Sequence, residues 1–151
     1  MQRINLKELY FNANKFYENK DYEKAKALYL KIKEFNPMHP QTNNNLGLTY
    51  KNLNEMGKAI NCFKLAVKSE DKYIIAINNL AKTLQEIDRI DESISYFEKS
   101  LKLDPNKKET YKEYALTLFK NNQHNKALKY LNKGIGTINF SQTNFSMVSN
   151  I

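Results

Sequence analysis

The chain has 151 residues, a formal charge of +8 from 24 basic and 16 acidic side chains, and a hydrophobic share of 41%, the balance of a folded chain and not of a disordered one. Its longest apolar run, Tyr73 to Ile77, falls far short of the roughly 20 residues that a membrane-spanning helix needs. The opening residues hold no apolar signal core, so no membrane insertion and a cytoplasmic setting are expected, and the single cysteine, Cys62, excludes an internal disulfide framework.

Four glycines and three prolines in a long polar chain predict helices joined by short turns. Asparagine occurs 21 times and arginine only twice, at Arg3 and Arg89. Such a bias is compositional, and it lowers the weight of any single surface Asn or Lys.

Taken in chain order, the elements repeat. From Leu6 to His39, Ala13 and Phe16 mark one helical face, and Ala25 and Tyr29 mark a second. From Pro40 to Tyr73 the same places hold Gly47, Tyr50, Ala59 and Phe63. From Ile74 to Lys107 they hold Ala81, Leu84, Ser93 and Phe97, and from Lys108 to Ser141 they hold Ala115, Leu118, Ala127 and Leu131. Every column steps by 34 residues, and Pro37, Asp71, Pro105 and Asn139 break the chain in the same register.

The third unit shows the physics most clearly. Ile77, Leu80, Ala81, Leu84 and Ile87 fall at helical spacing and make one apolar stripe. After a polar turn at Asp88 and Arg89, Ile90, Ile94, Phe97 and Leu101 make another. Pro105 then disfavours helix at Asp104. Each unit is predicted to be two antiparallel helices, whose small residues let the backbones approach while the bulky column fills the space beside them. One such hairpin cannot bury both stripes, so neighbours must stack into a solenoid.

This pattern resembles the tetratricopeptide repeat (TPR) family. The second unit carries the motif most fully, with Leu46, Gly47, Tyr50, Ala59, Phe63 and Ala66, while the early Trp of the family pattern is replaced by Leu9, Asn43, Ile77 and Tyr111. Gly134 stands where the last helix would have Ala. The resemblance implies an all-α fold, a right-handed α-solenoid of four helix-turn-helix units. The array covers residues 1–139, in repeats of about 6–39, 40–73, 74–107 and 108–141, with 140–151 as a polar tail.

The resemblance further implies a concave groove lined by the first helix of each unit. Transferred column by column, the candidate peptide-binding residues are Tyr10, Asn14, Tyr17, Asn44, Asn45, Asn78, Asn79, Lys82, Lys112 and Phe119. The amides offer both donors and acceptors to an extended peptide backbone, and the aromatic ends, including Phe11, receive apolar side chains. None of the lining is expected to be needed for packing the helix pairs.

Co-chaperones of this family grip a Glu-Glu-Val-Asp tail with a clamp of lysine, arginine and asparagine. On the first three units here the two Asn places hold Asn14 and Asn45, but the three cationic places hold Tyr10, Ile75 and Asn79. Two carboxylates cannot be desolvated without cations, so no such tail is expected as partner.

The charge does not single out nucleic acid. Along the four units the net charges are +3, +2, −1 and +4, and the lining itself holds five lysines against four glutamates. Nucleic-acid surfaces gather Lys and Arg on one face; here the lysines are dispersed over helix exteriors, and no nucleic acid is expected. His39 and His124 lie in different turns, no Cys/His cluster has ligand spacing, and no phosphate loop or nucleophile elbow is present. Neither an enzyme, a metal nor a cofactor is expected.

The reading is a protein–protein interaction module, an adaptor or scaffold that takes a peptide segment of a partner in the groove. Its rivals are a dedicated chaperone for a client segment, like those of bacterial secretion systems, and a basic-surface nucleic-acid binder. The tail, residues 140–151, has no convincing helical period but carries Phe140, Phe145, Met147, Val148 and Ile151. It is left open whether the tail is disordered, packs back over the last helix or leaves that face to a second copy, and a homodimer through the C-terminal end is the accompanying expectation.

Overall fold

The computed structural model describes residues 5–135 and contains eight helices in that span. The expectations that fell on the tail lie outside the described residues. The first helices of the four units are α1 (Leu6–Glu18), α3 (Pro40–Asn52), α5 (Ile74–Glu86) and α7 (Lys108–Lys120). The second helices are α2 (Tyr22–Phe35), α4 (Met56–Ser69), α6 (Ile90–Leu103) and α8 (His124–Ile135).

One backbone device closes every first helix. Lys20, Asn54, Asp88 and Asn122 have φ of 61°, 60°, 58° and 56°, the left-handed region, and stand 34 residues apart. The next residue in each case donates back across the turn, from Asp21 to Phe16, Glu55 to Tyr50, Arg89 to Leu84 and Gln123 to Leu118, at 2.8–2.9 Å. This is the Schellman closure, which satisfies the last carbonyls of a helix and reverses the chain. Helices begin on side-chain caps where the sequence supplies them: Asn5 accepts from the Glu8 amide and His39 Nδ1 accepts from the Thr42 amide, each at 3.3 Å. Pro40 sits in the first turn of α3, where a missing amide proton costs nothing.

Within each unit the helices meet through their small residues. Ala13, Ala81 and Ala115, and opposite them Ala25, Ala59, Ser93 and Ala127, are all fully buried. Ser93 uses its hydroxyl to bond the Ala81 carbonyl at 2.8 Å, so a polar residue serves in an alanine column. Tyr29, Phe63 and Phe97 fill the space beside them at 0% exposure. The buried residues form a chain of clusters along the stack, each spanning a joint between units, and no single central core exists.

The backbones of successive first helices come close to one another, α1 with α3, α3 with α5 and α5 with α7, whereas those of successive second helices do not. The stack therefore curves with its first helices on the inside. This places the lining columns of the sequence reading on the inner wall.

Candidate functional site

The inner wall is built from side chains that reach from one unit to the next. Because neighbouring first helices lie side by side, residues about 35 apart in sequence face each other. Asn45 Nδ2 donates to the Tyr10 hydroxyl at 3.0 Å and to Asn14 Oδ1 at 3.1 Å. Asn14 Oδ1 also accepts from the Tyr29 hydroxyl at 2.6 Å. Asn44 Nδ2 donates to Asn45 Oδ1 at 3.1 Å, and Asn44 Oδ1 accepts from Asn79 Nδ2 at 2.9 Å. One hydrogen-bonded chain thus runs from Tyr29 through Asn14, Asn45 and Asn44 to Asn79, across three units.

A second row runs beside it. Asn52 Nδ2 donates to the Tyr17 hydroxyl at 3.1 Å, Lys51 pairs with Glu86 at 2.6 Å, and Lys82 pairs with Glu113 at 2.7 Å. Asn78 Nδ2 donates to Thr110 Oγ1 at 3.0 Å, while its Oδ1 is buried with no partner among the described residues. Burial also pushes the hydroxyls of Tyr10, Tyr17 and Tyr29 above the ordinary tyrosine range, so all three stay protonated at neutral pH.

This corrects one expectation. The lining was expected to be free of packing duties, but Asn14, Asn44, Asn45 and Asn79 hold units together, and Asn44 is only 3% exposed. The residue types were legible; their partners 31 to 35 residues away were not. The aromatic end is likewise engaged, with Tyr10 packed edge-on against Tyr29 and His39, and Tyr17 against Tyr22. Phe119 is half-buried beside His124, and Phe11 stands 67% exposed.

Two lining residues outside the candidate set stand out. Ile75 on α5 and Leu116 on α7 are 52% and 44% exposed, although both are large and apolar. The sequence signal was present, since each sits in a lining column and not in a packing column. A small cavity of about 180 Å³ between α5 and α7 is lined by Ile75, Asn78, Asn79, Lys82, Thr110 and Glu113. A larger cavity of about 500 Å³ opens at the other end, among Leu6, Lys7, Tyr10, Ile32, His39 and Gln41.

The wall's charges are largely internal. Lys51 and Lys82 are neutralised by their glutamates, whereas Lys112 and Lys120 make no ion pair among the described residues. Elsewhere Lys24, Lys26 and Lys58 pair with Asp21, Glu23 and Glu55 within their own helix turns. Cys62 is 4% exposed, and burial pushes its thiol up, which disfavours the reactive thiolate. Among the described residues no group of three His, Cys, Asp or Glu side chains could hold a metal ion, and no helix is long and apolar enough to cross a membrane.

Comparison with known proteins agrees with this architecture. A model of the tetratricopeptide repeat matches residues 40–73 and 75–107, and a second model of the same repeat matches 96–129. Comparison with curated proteins found no match. Among solved structures, MamA 41-end from Desulfovibrio magneticus RS-1 superposes with a TM-score of 0.80 at 16% identity, covering 86% of this chain and 73% of that one. MamA from strain AMB-1 superposes with a TM-score of 0.76 at 18% identity, covering 87% and 72%. Another MamA crystal structure gives 0.77 at 23% identity, covering 82% and 72%. The shared architecture is a right-handed α-solenoid.

Proposed function

The chain belongs to the tetratricopeptide repeat family, a family of protein–protein interaction scaffolds, and on that premise we propose that its inner wall holds an extended segment of a partner protein. The observation that carries this is the pair Ile75 and Leu116, exposed at 52% and 44% on neighbouring first helices of a wall whose amides are mostly bonded to one another. The ladder makes the wall rigid, and a rigid wall binds without a large ordering cost. Apolar side chains of the partner pack on Ile75 and Leu116. Its backbone meets the remaining acceptor of Asn79, and acidic groups approach Lys112 and Lys120. The candidate residues Asn14, Asn44 and Asn45 support the wall, and Tyr10 and Tyr17 anchor the first unit to it. A Glu-Glu-Val-Asp tail does not fit, because Tyr10, Ile75 and Asn79 stand where its carboxylates need cations.

The test is photo-crosslinking from a reactive residue placed at Ile75, with the captured segments identified by mass spectrometry. Binding of a captured segment is then measured for the wild type, for Ile75→Asp with Leu116→Asp, and for Lys64→Glu with Lys68→Glu on the outer helix α4. Loss in the first variant with an unchanged fold, and retention in the second, is the expected result. Equal binding by all three would overturn the groove, and loss only in the lysine variant, with strong salt dependence, would assign a basic outer surface.

A further inference from the structure

The second helices spread apart where the stack curves, so a joint between units has an outer groove floored by a first helix. At the joint of the third and fourth units this groove holds a cavity of about 390 Å³. Leu101 and Lys102 of α6, Tyr111 and Tyr114 of α7, and Tyr130 and Lys133 of α8 line it. A neighbouring cavity of about 290 Å³ shares Tyr111 and Lys133 and runs on past Pro105, Asn106 and Lys108. The two make one trough on the outside of the stack, away from the inner wall.

Its floor differs in kind from the same columns elsewhere. Where Tyr111 and Tyr114 stand, the unit before has Ile77 and Leu80 and the second unit has Asn43 and Leu46, all fully buried. Tyr111 and Tyr130 are half-buried, and their rings lie 5.9 Å apart at 16°, while Tyr130 meets Tyr114 edge-on at 4.8 Å. Gly134 permits the close approach that assembles them. A Cβ there would stand 3.1 Å from the Lys108 carbonyl oxygen and 3.2 Å from the Lys112 nitrogen, so a bare backbone lets α8 lie against the opening turns of α7.

The rim is basic. Lys102, Lys108 and Lys133 are exposed and make no ion pair among the described residues. The Lys133 ammonium rests over the Tyr111 and Tyr130 rings, at 5.7 and 5.4 Å from their centres, which fixes a charge at the mouth of the trough without neutralising it. Glu98, the carboxylate of the lining, is already engaged by the Tyr114 hydroxyl at 2.6 Å and by Lys126 at 3.0 Å. Asp104, in the adjoining loop, accepts from the Asn106 amide at 3.0 Å.

We propose that this trough is a second docking site, for an acidic segment of a protein that carries an aromatic or aliphatic side chain among its carboxylates. The apolar side chain enters between Leu101 and the tyrosines, and the carboxylates meet Lys102, Lys108 and Lys133. Nucleic acid fits less well. The rim offers no arginine fork, and Tyr111, Tyr130 and Lys133 cover one another's faces, where a base would need to stack. The site does not rest on the inner-wall reading, and with both occupied the chain would join two partners.

The test titrates the protein with the end-blocked peptide Asp-Glu-Phe-Glu-Asp by calorimetry at physiological salt. Saturable binding is expected. Lys102→Glu with Lys133→Glu, Tyr111→Leu with Tyr130→Leu, and exchange of the peptide's Phe for Ser should each weaken it by about tenfold. Leucine already stands in these two columns at Leu9 and Leu28, so the tyrosine variant keeps the packing. Lys64→Glu with Lys68→Glu on α4, the same charge change elsewhere, and Ile75→Asp with Leu116→Asp on the inner wall should leave binding unchanged. Absence of saturable binding, no loss in the tyrosine variant, or an equal loss in the α4 variant overturns the proposal. Loss in the inner-wall variant overturns it by moving the peptide to the groove. A short oligothymidine that binds more tightly and displaces the peptide overturns it by giving the trough to nucleic acid.

Discussion

The Asn45 amide meets the Tyr10 hydroxyl at 3.0 Å across a gap of 35 residues. One unit later Asn79 makes the same step to Asn44 at 2.9 Å. The 34-residue period thus appears twice, once as apolar columns that pack each hairpin and once as polar columns that tie the hairpins together. Residues that look like ligand contacts in sequence are joints of the stack.

Replacing Asn45 by Ala removes two donated bonds and leaves the half-buried Asn14 and the buried Asn44 short of partners. A stability loss of about 2 kcal/mol is expected in urea denaturation. Asn52→Ala, which removes an exposed bond to Tyr17, should cost under about 0.5 kcal/mol. Equal effects would show that the inner ladder is not structural. Because of this load, Asn45 and Asn79 variants cannot serve as clean probes of partner binding, and Ile75 and Leu116 can.

Gly47→Ala should destabilise, although alanine fills the same column at Ala13, Ala81 and Ala115. A Cβ at Gly47 would stand 2.6 Å from Phe63 Cε1, and Phe63 is fully buried. Alanine's better helix propensity would give about 1 kcal/mol, but forcing the ring aside costs about 1–3 kcal/mol. A net loss of about 1 kcal/mol is the expected balance of these two effects. Phe63→Leu combined with Gly47→Ala should be less harmful than the sum of the two changes, which a double-mutant cycle measures.

Lys20 is the one left-handed turn residue of the four that is neither Asn nor Asp. A side chain of its kind is disfavoured there by about 1–2 kcal/mol, and asparagine is more tolerant. Lys20→Asn should raise stability by about 0.5–1 kcal/mol, read as a higher urea midpoint, and Asn54→Lys should lower it by a similar amount. No change in either variant would show that the turn relaxes to accept any residue.

Tyr114 is fully buried, and its hydroxyl is pushed up to about 12, first by burial and then by its 2.6 Å bond to Glu98. An acid group whose folded pKa is raised holds its proton after the unfolded chain has released its own. Stability is therefore full below pH 10 and falls between about pH 10 and 12. Tyr114→Phe should flatten part of that alkaline decline. At the acid end, the Tyr114 and Lys126 bonds hold the Glu98 carboxyl below its usual range. That contribution is present above the ordinary glutamate pKa and is lost as pH falls through the lowered value. Urea midpoints across pH for wild type, Tyr114→Phe and Glu98→Gln measure both arms.

Much of the fold was legible because its determinants are local and periodic. Ala81, Ser93 and Phe97 occupy their places by helical spacing, and their counterparts repeat that spacing along the chain. The polar turn at Asp88 and Arg89 also followed from residue type. The inner wall was less legible. Asn14, Asn44 and Asn45 looked free because a hydrogen bond between units depends on how closely α1, α3 and α5 approach, and no periodicity records that distance. Ser93 shows the same limit, since its bond to the Ala81 carbonyl exists only where two backbones meet.

By itself the sequence determined the repeating hairpin and the polar turn inside it, since each depends on which residue stands in which column. The tertiary structure alone decided which polar side chains are joints and which apolar ones face outward. Ile75 is exposed while Ile77 is fully buried, two residues apart on one helix. Side-chain direction separates them, and a partner is recognised by the side chains the stack leaves unbonded.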